Sequence, residues 1–581
     1  MCGIFALLNN DETIQHENIN LSINAGKARG PEEYKYIQLN KVDFHFHRLA
    51  INGLDKTSAM QPFNKNKITI MCNGEIYNHK QLEQELKLSE NELSGSDCEV
   101  LVYLYDKYGI EATLQMIDGV FGLIIYDERD ENNIILHAAR DPFGVRPLYA
   151  SFNMDFLNGP QAFASEVKVL TALDLQNNYI IPVEPGTFFT MKLNKQPNIW
   201  YKETHNKYFS LRYSADVLYN KTIYPTMIDN YALRVVNSLE NAVIKRVQNT
   251  DRPVACLLSG GLDSSLIAAL VAKHYRGELH TYSIGMEGSV DCKMAKLVSQ
   301  QIGSIHHEVI LTEQQFFDAI PRVIEAIESY DTTTVRASVG NYLIAEYIRV
   351  TSNAKVIFNG DGSDEVTGGY IYVGKAPSDL EFDLECRRLL KNIHTFDVLR
   401  SDRSISSHGL EPRTPFLDKT FVDTYMSVPV CIRNHKSAFN KVNTYWKDIS
   451  IDMIEKGHTY EASQLSKRCE KLFLRYAFHK YMPDLLPLEV LWRGKEAFSD
   501  GVSGNGSSWY EIISNKLENI EIYNNYSNEN HNKPDTKEKQ YYRQIFDNKY
   551  KSASETIPYF WMPKWVETND PSARTISFYN K

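Results

Sequence analysis

The chain has 581 residues, 43% of them hydrophobic and 23% charged, with a formal net charge of -10. It is too long for one core, and at ~150 residues per domain two large domains are expected. The acidic balance argues against a nucleic-acid-binding surface and for small-molecule partners. No stretch approaches the ~20 apolar residues of a membrane span, and the apolar run 4–8 lacks a basic lead-in and is too short for a secretory signal. Eight cysteines without Cys-x-x-Cys spacing read as reduced thiols of a cytoplasmic protein.

The second residue is the first informative one. A small penultimate side chain permits removal of Met1, which leaves Cys2 with a thiol and an α-amine on one residue. Reference pKa values of about 8.5 and about 8 let the amine take the thiol proton without a histidine, so amide hydrolysis through a thioester becomes available. From Cys2 to about Leu193, short apolar segments (68–71, 121–125, 134–137) alternate with predicted helices at 77–88 and 98–108, the pattern of a sheet-rich α/β domain. Within it, Arg48 offers two prongs to a carboxylate and Asp97 an acid to an ammonium. Asn73-Gly74-Glu75 combines a side-chain amide, an unhindered N–H and a second acid, and its first two residues would serve as an oxyanion hole. Each also has an ordinary reading: Arg48 as a surface cation, Asn73-Gly74 as a hairpin turn, Asp97 as a helix N-cap.

Residues 194–222, polar and rich in Tyr, Asn and Lys, read as a linker. Beyond them, amphipathic helices alternate with apolar strands at 254–258 and 355–358, which implies a second α/β domain over 223–581 around a parallel sheet. The first of these strands runs into Ser259-Gly260-Gly261-Leu262-Asp263-Ser264-Ser265 and then an apolar helix. Glycines admit a phosphate to the backbone, serines add donors, and the helix start favours negative charge. With no Gly-Lys-Ser/Thr, this is not a Walker loop. The other strand leads into Asn359-Gly360-Asp361-Gly362-Ser363-Asp364-Glu365. Two strand ends presenting Gly and Asp should meet at the sheet edge where ligands bind, which makes Asp263 and Asp364 candidate Mg2+ ligands. Segments 433–468 and 514–540 look added and are expected as surface excursions or partial disorder, being poor in apolar residues.

The first constellation, with Arg29-Gly30-Pro31 and Arg140-Asp141-Pro142-Phe143-Gly144-Val145-Arg146-Pro147-Leu148, resembles the N-terminal-nucleophile glutaminase domain of class II glutamine amidotransferases. The resemblance implies an α/β/β/α sandwich over 2–193, with Cys2 as nucleophile and Asn73 and Gly74 as oxyanion hole. It further implies a glutamine pocket of Arg48, Leu49, Ala50, Ile51, Asn52, Glu75 and Asp97. Glu32 departs from the aspartate expected after Arg-Gly-Pro.

Glu328 to Ser338, Pro415-Phe416-Leu417-Asp418 and Trp492 to Gly501, taken with the two loops, resemble the synthetase domain of glutamine-dependent asparagine synthetases; Trp561 to Trp565 and Asp570 to Thr575 resemble the eukaryotic form. That resemblance implies a pyrophosphate-loop fold of the adenine nucleotide α-hydrolase kind, rich in helices. The ATP site would comprise Leu258, Ser259, Gly260, Gly261, Asp263, Ser264, Ser265, Ile284, Asn359 and Gly360, with Mg2+ arriving with ATP. Asp361 and Lys495 would be catalytic, and Glu328 and Asp418 would shape the aspartate end. Implied partners are glutamine, aspartate and ATP, with neither nucleic acid nor membrane, and a homodimer left open. The family reads Ser-Gly-Glu where this chain has Asn359-Gly360-Asp361. Aspartate withdraws the carboxylate by ~1.5 Å, and ~1 Å of misplacement costs on the order of 100-fold, so adenylation is expected to be retained but slower. Competing readings are the β-lactam synthetase branch, which lacks the nucleophile at Cys2, a non-catalytic paralogue sensing glutamine or nucleotide, and a glutaminase with a silent second domain.

Overall fold

The computed structural model describes the chain apart from residues 11–13, 55, 90–92, 155–158, 212–223, 442–448, 451–452, 456, 460–468, 496–501, 504–507, 523–525, 528–529, 551–552, 569 and 572–581. Twelve strands build the first part: β1 (Gly3–Leu8), β2 (Glu33–Leu39), β3 (Val42–Arg48), β4 (Phe63–Lys65), β5 (Ile68–Ile76), β6 (Gly119–Asp127), β7 (Ile135–Arg140), β8 (Tyr149–Asn153), β9 (Gln161–Ala164), β10 (Asn178–Pro182), β11 (Thr187–Lys195) and β12 (Asn198–Lys207). They form two six-stranded sheets, ordered β10-β8-β9-β1-β3-β2 and β12-β11-β7-β6-β5-β4. Strand alternation decides how the sheets stack. Ile4, Ala6, Leu8, Phe44 and Phe46 of one sheet share a core with Met71, Ile124, Tyr126, Leu136 and Ala138 of the other. The opposite faces carry Phe5 and Leu7, packed with Val167, Val169 and Leu170, and Ile70, Cys72, Leu123 and Ile125, packed with the helices His79–Leu86 and Val100–Met116. The layers are therefore α/β/β/α.

The expected linker is partly sheet. Residues 194–207 belong to the β11–β12 hairpin, whose polar side chains sit on a strand exposed along most of its length; residues 212–223 lie outside the described part.

The second part centres on a parallel sheet of β13 (Val254–Leu257), β14 (His280–Gly285), β15 (Ile305–Ile310), β16 (Val356–Phe358) and β17 (Glu411–Arg413), ordered β15-β14-β13-β16-β17. The chain builds outward from β13 to β15, then returns to add β16 and β17 on the other side. The order thus reverses between β13 and β16, and the crevice beyond their carboxyl ends is where such sheets take ligands.

Two expectations of exposure are corrected. The segment from 433 opens with Arg433, 1% exposed and ion-paired to Asp383, and continues in a helix, His435–Lys441; most of 442–468 lies outside the described residues. The polar stretch 514–540 contains the ends of two helices, Trp509–Glu518 and Lys537–Lys549. There Glu538 is buried against Arg336, with Nε to Oε1 at 2.8 Å. In both places charge is buried in pairs, which apolar content does not register.

Candidate active site

The first site forms where the two sheets of the sandwich meet. Cys2, immediately before β1, is 8% exposed, and its backbone N–H donates to Asn73 Oδ1 on β5 at 3.0 Å. Its Sγ lies 3.9 Å from the carbonyl oxygen of Leu49. Burial pushes the thiol up to about 11, although the neighbouring Met1 ammonium pulls it down. That ammonium donates to Glu411 Oε2 at 2.7 Å. Gly74 follows Asn73 where β5 pairs with β6, and a Cβ there would stand 2.2 Å from the carbonyl oxygen of Val120, so only glycine fits.

The sandwich also gathers the acids. Asn52 Nδ2 lies 3.3 Å from both Glu75 Oε2 and Asp97 Oδ1, and so bridges two carboxylates. Burial and Asp97 raise the Glu75 carboxyl well above the ordinary range, against the pull of Arg413. A small nitrogen cation between these acids would offset their repulsion and favour their ionised forms. Arg48, on β3, is 4% exposed and donates through Nη1 to Glu33 Oε1 at 2.7 Å and through Nη2 to the carbonyl of Gly53 at 2.9 Å. Glu32 accepts from the Ala50 N–H at 2.7 Å and from Arg252 at 2.8 Å, which fixes the turn carrying Leu49, Ala50 and Ile51.

Sequence reasoning did not single out the residues that the second domain adds here. Asn249 donates to Glu75 at 2.8 Å, and Arg413 donates to Glu75 at 3.1 Å while pairing with Glu411 at 2.9 Å. All three are buried, and only their position on β17 and the neighbouring loop reveals them.

The second site is a cavity of about 260 Å³ at the β13/β16 reversal, lined by Leu258, Ser259, Gly261, Asp263, Ser264, Ile284, Asn359, Gly360, Asp361 and Lys495 among others. Gly260 adopts φ +73° and Gly360 would place a Cβ 2.7 Å from the Ser264 N–H nitrogen, so the two loops touch backbone to backbone. Ser265, expected in the site, is 0% exposed and does not line the cavity; the helix start turns it into the core. Gly260 is also behind the lining, its carbonyl accepting from Arg493 at 3.3 Å.

Two lysines organise the acids. Lys471 Nζ lies 2.5 Å from Asp263 Oδ2 and 2.6 Å from Asp364 Oδ1, and Lys495 pairs with the other oxygen of Asp364. Burial works to raise the Asp364 carboxyl, but the two ammonium groups hold it well below the usual range. Lys471 was not recognised from the sequence. It has left-handed backbone, φ +58°, just before the helix Leu472–Tyr481, and its partners lie far away in the chain. Among the described residues no group of three or more His, Cys, Asp and Glu could hold a metal by itself. The donor set nevertheless suits Mg2+ carried in on phosphates, because Asp263 and Asp364 already share one cation, the Lys471 ammonium.

Asp361 is held by Arg400 Nη2 at 2.9 Å, and Asn359 is turned aside by Ser401, Nδ2 to Oγ 2.7 Å. Glu328 and Asp418 are not among the cavity's lining residues. Glu328 accepts from the N–H groups of Val167 and Lys168 and pairs with Arg403, stitching the sandwich to the second domain. Asp418 caps the helix Lys419–Met426 and binds Arg246 at 2.7 Å. Both buried acids serve structure, and a sequence does not distinguish such an acid from one that faces substrate.

A buried thiol at the start of an α/β/β/α sandwich, joined to a parallel sheet with a glycine-rich loop at its reversal point, has the architecture of an amidotransferase coupled to a nucleotide-using ligase. The amino-terminal part matches the glutamine amidotransferase domain over residues 1–210, and the remainder matches asparagine synthase over 234–384 and 374–567. Glutamine-hydrolysing asparagine synthetases from Cricetulus griseus and Gallus gallus are each 38% identical to the chain, and that of Homo sapiens 36%, each comparison covering 100% of this chain and 99% of the relative. The chain belongs to the family of glutamine-hydrolysing asparagine synthetases and is a ligase.

Proposed function

We propose that the protein makes asparagine from aspartate and ATP through β-aspartyl-AMP, with ammonia released from glutamine at Cys2. The observation that carries this reading is the pairing of Asp263 and Asp364 through Lys471, with Lys495 beside them, over a glycine-rich loop at the sheet's reversal point.

With Met1 removed, the Cys2 amine takes the thiol proton and the sulfur attacks the glutamine amide carbon. Asn73 Nδ2 and the Gly74 N–H receive the developing oxyanion, Arg48 binds the α-carboxylate, and Glu75 and Asp97 hold the α-ammonium. Ammonia departs, and water then releases glutamate from the thioester. In the second domain an oxygen of aspartate's β-carboxylate attacks the α-phosphorus of ATP and pyrophosphate leaves. Ammonia then attacks the acyl carbon and AMP leaves, with a proton lost to solvent. Asp263 and Asp364 would hold Mg2+ arriving with ATP, which would supply charge neutralisation at the phosphates. Lys471 and Lys495 carry further positive charge toward them, and Arg400 aims Asp361 into the cavity.

The same reading places the enzyme in the cytosol, where its eight free thiols stay reduced; whether it works as a monomer or a homodimer is read by light scattering. The described residues include no helix long and apolar enough to cross a membrane. The decisive experiment incubates the purified chain with glutamine, aspartate and Mg-ATP and follows glutamate, asparagine, AMP and pyrophosphate together. Near-equal appearance of all four is expected. Glutamate alone would leave only the first site working and refute the synthetase reading.

A further inference from the structure

Two consecutive acids, Glu32 just before β2 and Glu33 at its start, have different surroundings. The carboxylate of Glu32 is committed to the turn that carries the glutamine pocket, accepting from the Ala50 N–H and from Arg252. Glu33 faces Arg48 across the β2–β3 register and accepts from its Nη1 at 2.7 Å. The Arg48 side chain is 5% exposed and that of Glu33 45%. The other terminal nitrogen of Arg48 donates to the carbonyl of Gly53 at 2.9 Å and reaches that of Asn52 at 3.5 Å. Both terminal nitrogens of the guanidinium are therefore engaged before any ligand arrives.

A guanidinium meets a carboxylate best edge to edge, through two parallel N–H donors. An α-carboxylate approaching Arg48 must take a donor from Glu33 or settle beside a second negative charge. Displacement costs little, because a carboxylate already half in water keeps most of its hydration on leaving. We infer that Glu33 is a specificity-determining gate on the glutamine pocket: a carboxylate of this chain that occupies Arg48 in place of substrate and competes with glutamine's α-carboxylate. The inference rests on the role proposed for Arg48 and deepens it. Glu33 sets how readily the protein accepts glutamine, while ammonia, which has no carboxylate, bypasses the gate. The result is a shift in preference from glutamine toward free ammonia, produced by a residue that touches neither reacting centre.

The opposite role is equally definite. A Glu33 that merely held Arg48 in place would strengthen glutamine binding, so its loss would weaken it. The test uses the full-length chain and its Glu33→Gln and Glu33→Asp variants. Glutamate release is measured against glutamine concentration, and asparagine formation against ammonium concentration. Binding of glutamine is measured by calorimetry on the same variants carrying Cys2→Ala, so that turnover does not enter. An ion pair with its carboxylate half in water corresponds to roughly 2- to 5-fold in an equilibrium constant. Glu33→Gln is therefore expected to lower both KM and Kd for glutamine about 2- to 5-fold, with kcat and the ammonium KM unchanged. Glu33→Asp, which keeps the charge, should stay nearer the parent. A raised or unchanged glutamine Kd in Glu33→Gln overturns the gate. Failure of the amidotransferase reading looks different: the parent itself would then release no glutamate and bind no glutamine.

Discussion

Asp361 reaches less far than the glutamate its family resemblance leads one to expect, and its neighbours take up part of the difference. The Asp361 N–H donates to Asn359 Oδ1 at 3.3 Å, Asn359 donates to Ser401 at 2.7 Å, and Arg400, next to Ser401, binds the Asp361 carboxylate at 2.9 Å. The loop and the helix Asp397–Ser406 are thus linked through residues 359 and 361 together, and the second Asp361 oxygen is left buried without a hydrogen-bond partner. Ser401→Ala removes one bond of about 1 kcal/mol, so the rate of pyrophosphate formation should fall about fivefold with little change in the ATP KM. At the other site, a chain that keeps Met1 holds its Cys2 thiol protonated up to about pH 11. Alkylation by iodoacetamide should therefore be slow at pH 7.5 and accelerate toward that value, whereas the processed chain should react readily at neutral pH.

Single elements carry most of each site. β5 delivers Asn73, Gly74 and Glu75 in one extended run, and Gly74→Ala would drive β5 from β6, since the added carbon would meet Val120 and Phe121. Glutamine hydrolysis should drop at least ~100-fold while ammonia-driven synthesis persists, a contrast that product analysis reads directly. The helix Asp397–Ser406 begins with Asp397, whose carboxyl burial and the charges of Asp361 and Asp364 raise to about 6 despite Arg400. That lies above the ~3.9 of an unfolded aspartate, so the folded state holds the proton more tightly. This contribution to stability is complete below about pH 4 and fades as the pH rises toward 6. Asp397→Asn does not titrate, so its Tm should gain on the parent's between pH 4.5 and 7. Runs of this kind are legible in a sequence because alternation and glycine placement are local: β5, β13 and both glycine loops lie where the apolar periods put them. Lys471 was not legible, because its meaning depends on two acids brought to it by other strands. Glu328 and Asp418 misled for the converse reason, each sitting in a suggestive run while its carboxylate serves backbone N–H groups and arginines.

Across the whole molecule the two halves are joined by buried charge. Arg29 pairs with Asp402 at 2.7 Å, Arg146 with Glu411 at 3.7 Å, and Arg413 with Glu75 at 3.1 Å, all with side chains at most 3% exposed. Glu411→Gln would leave Arg413 and Arg146 short of compensation, and breaking such a pair typically costs about 3–5 kcal/mol. Calorimetry should show a lower Tm, and product analysis an excess of glutamate over asparagine if the junction also loosens. Glu75, which the proposed function places in the glutamine pocket, is completed by Asn249 and Arg413, the latter on the edge strand of the parallel sheet. A glutaminase half exchanged for one from another amidotransferase would arrive with an acid tuned to different neighbours. The two halves are therefore poor modules for recombination, and lineages that shuffle them would have to change residues 75, 249 and 413 as a set.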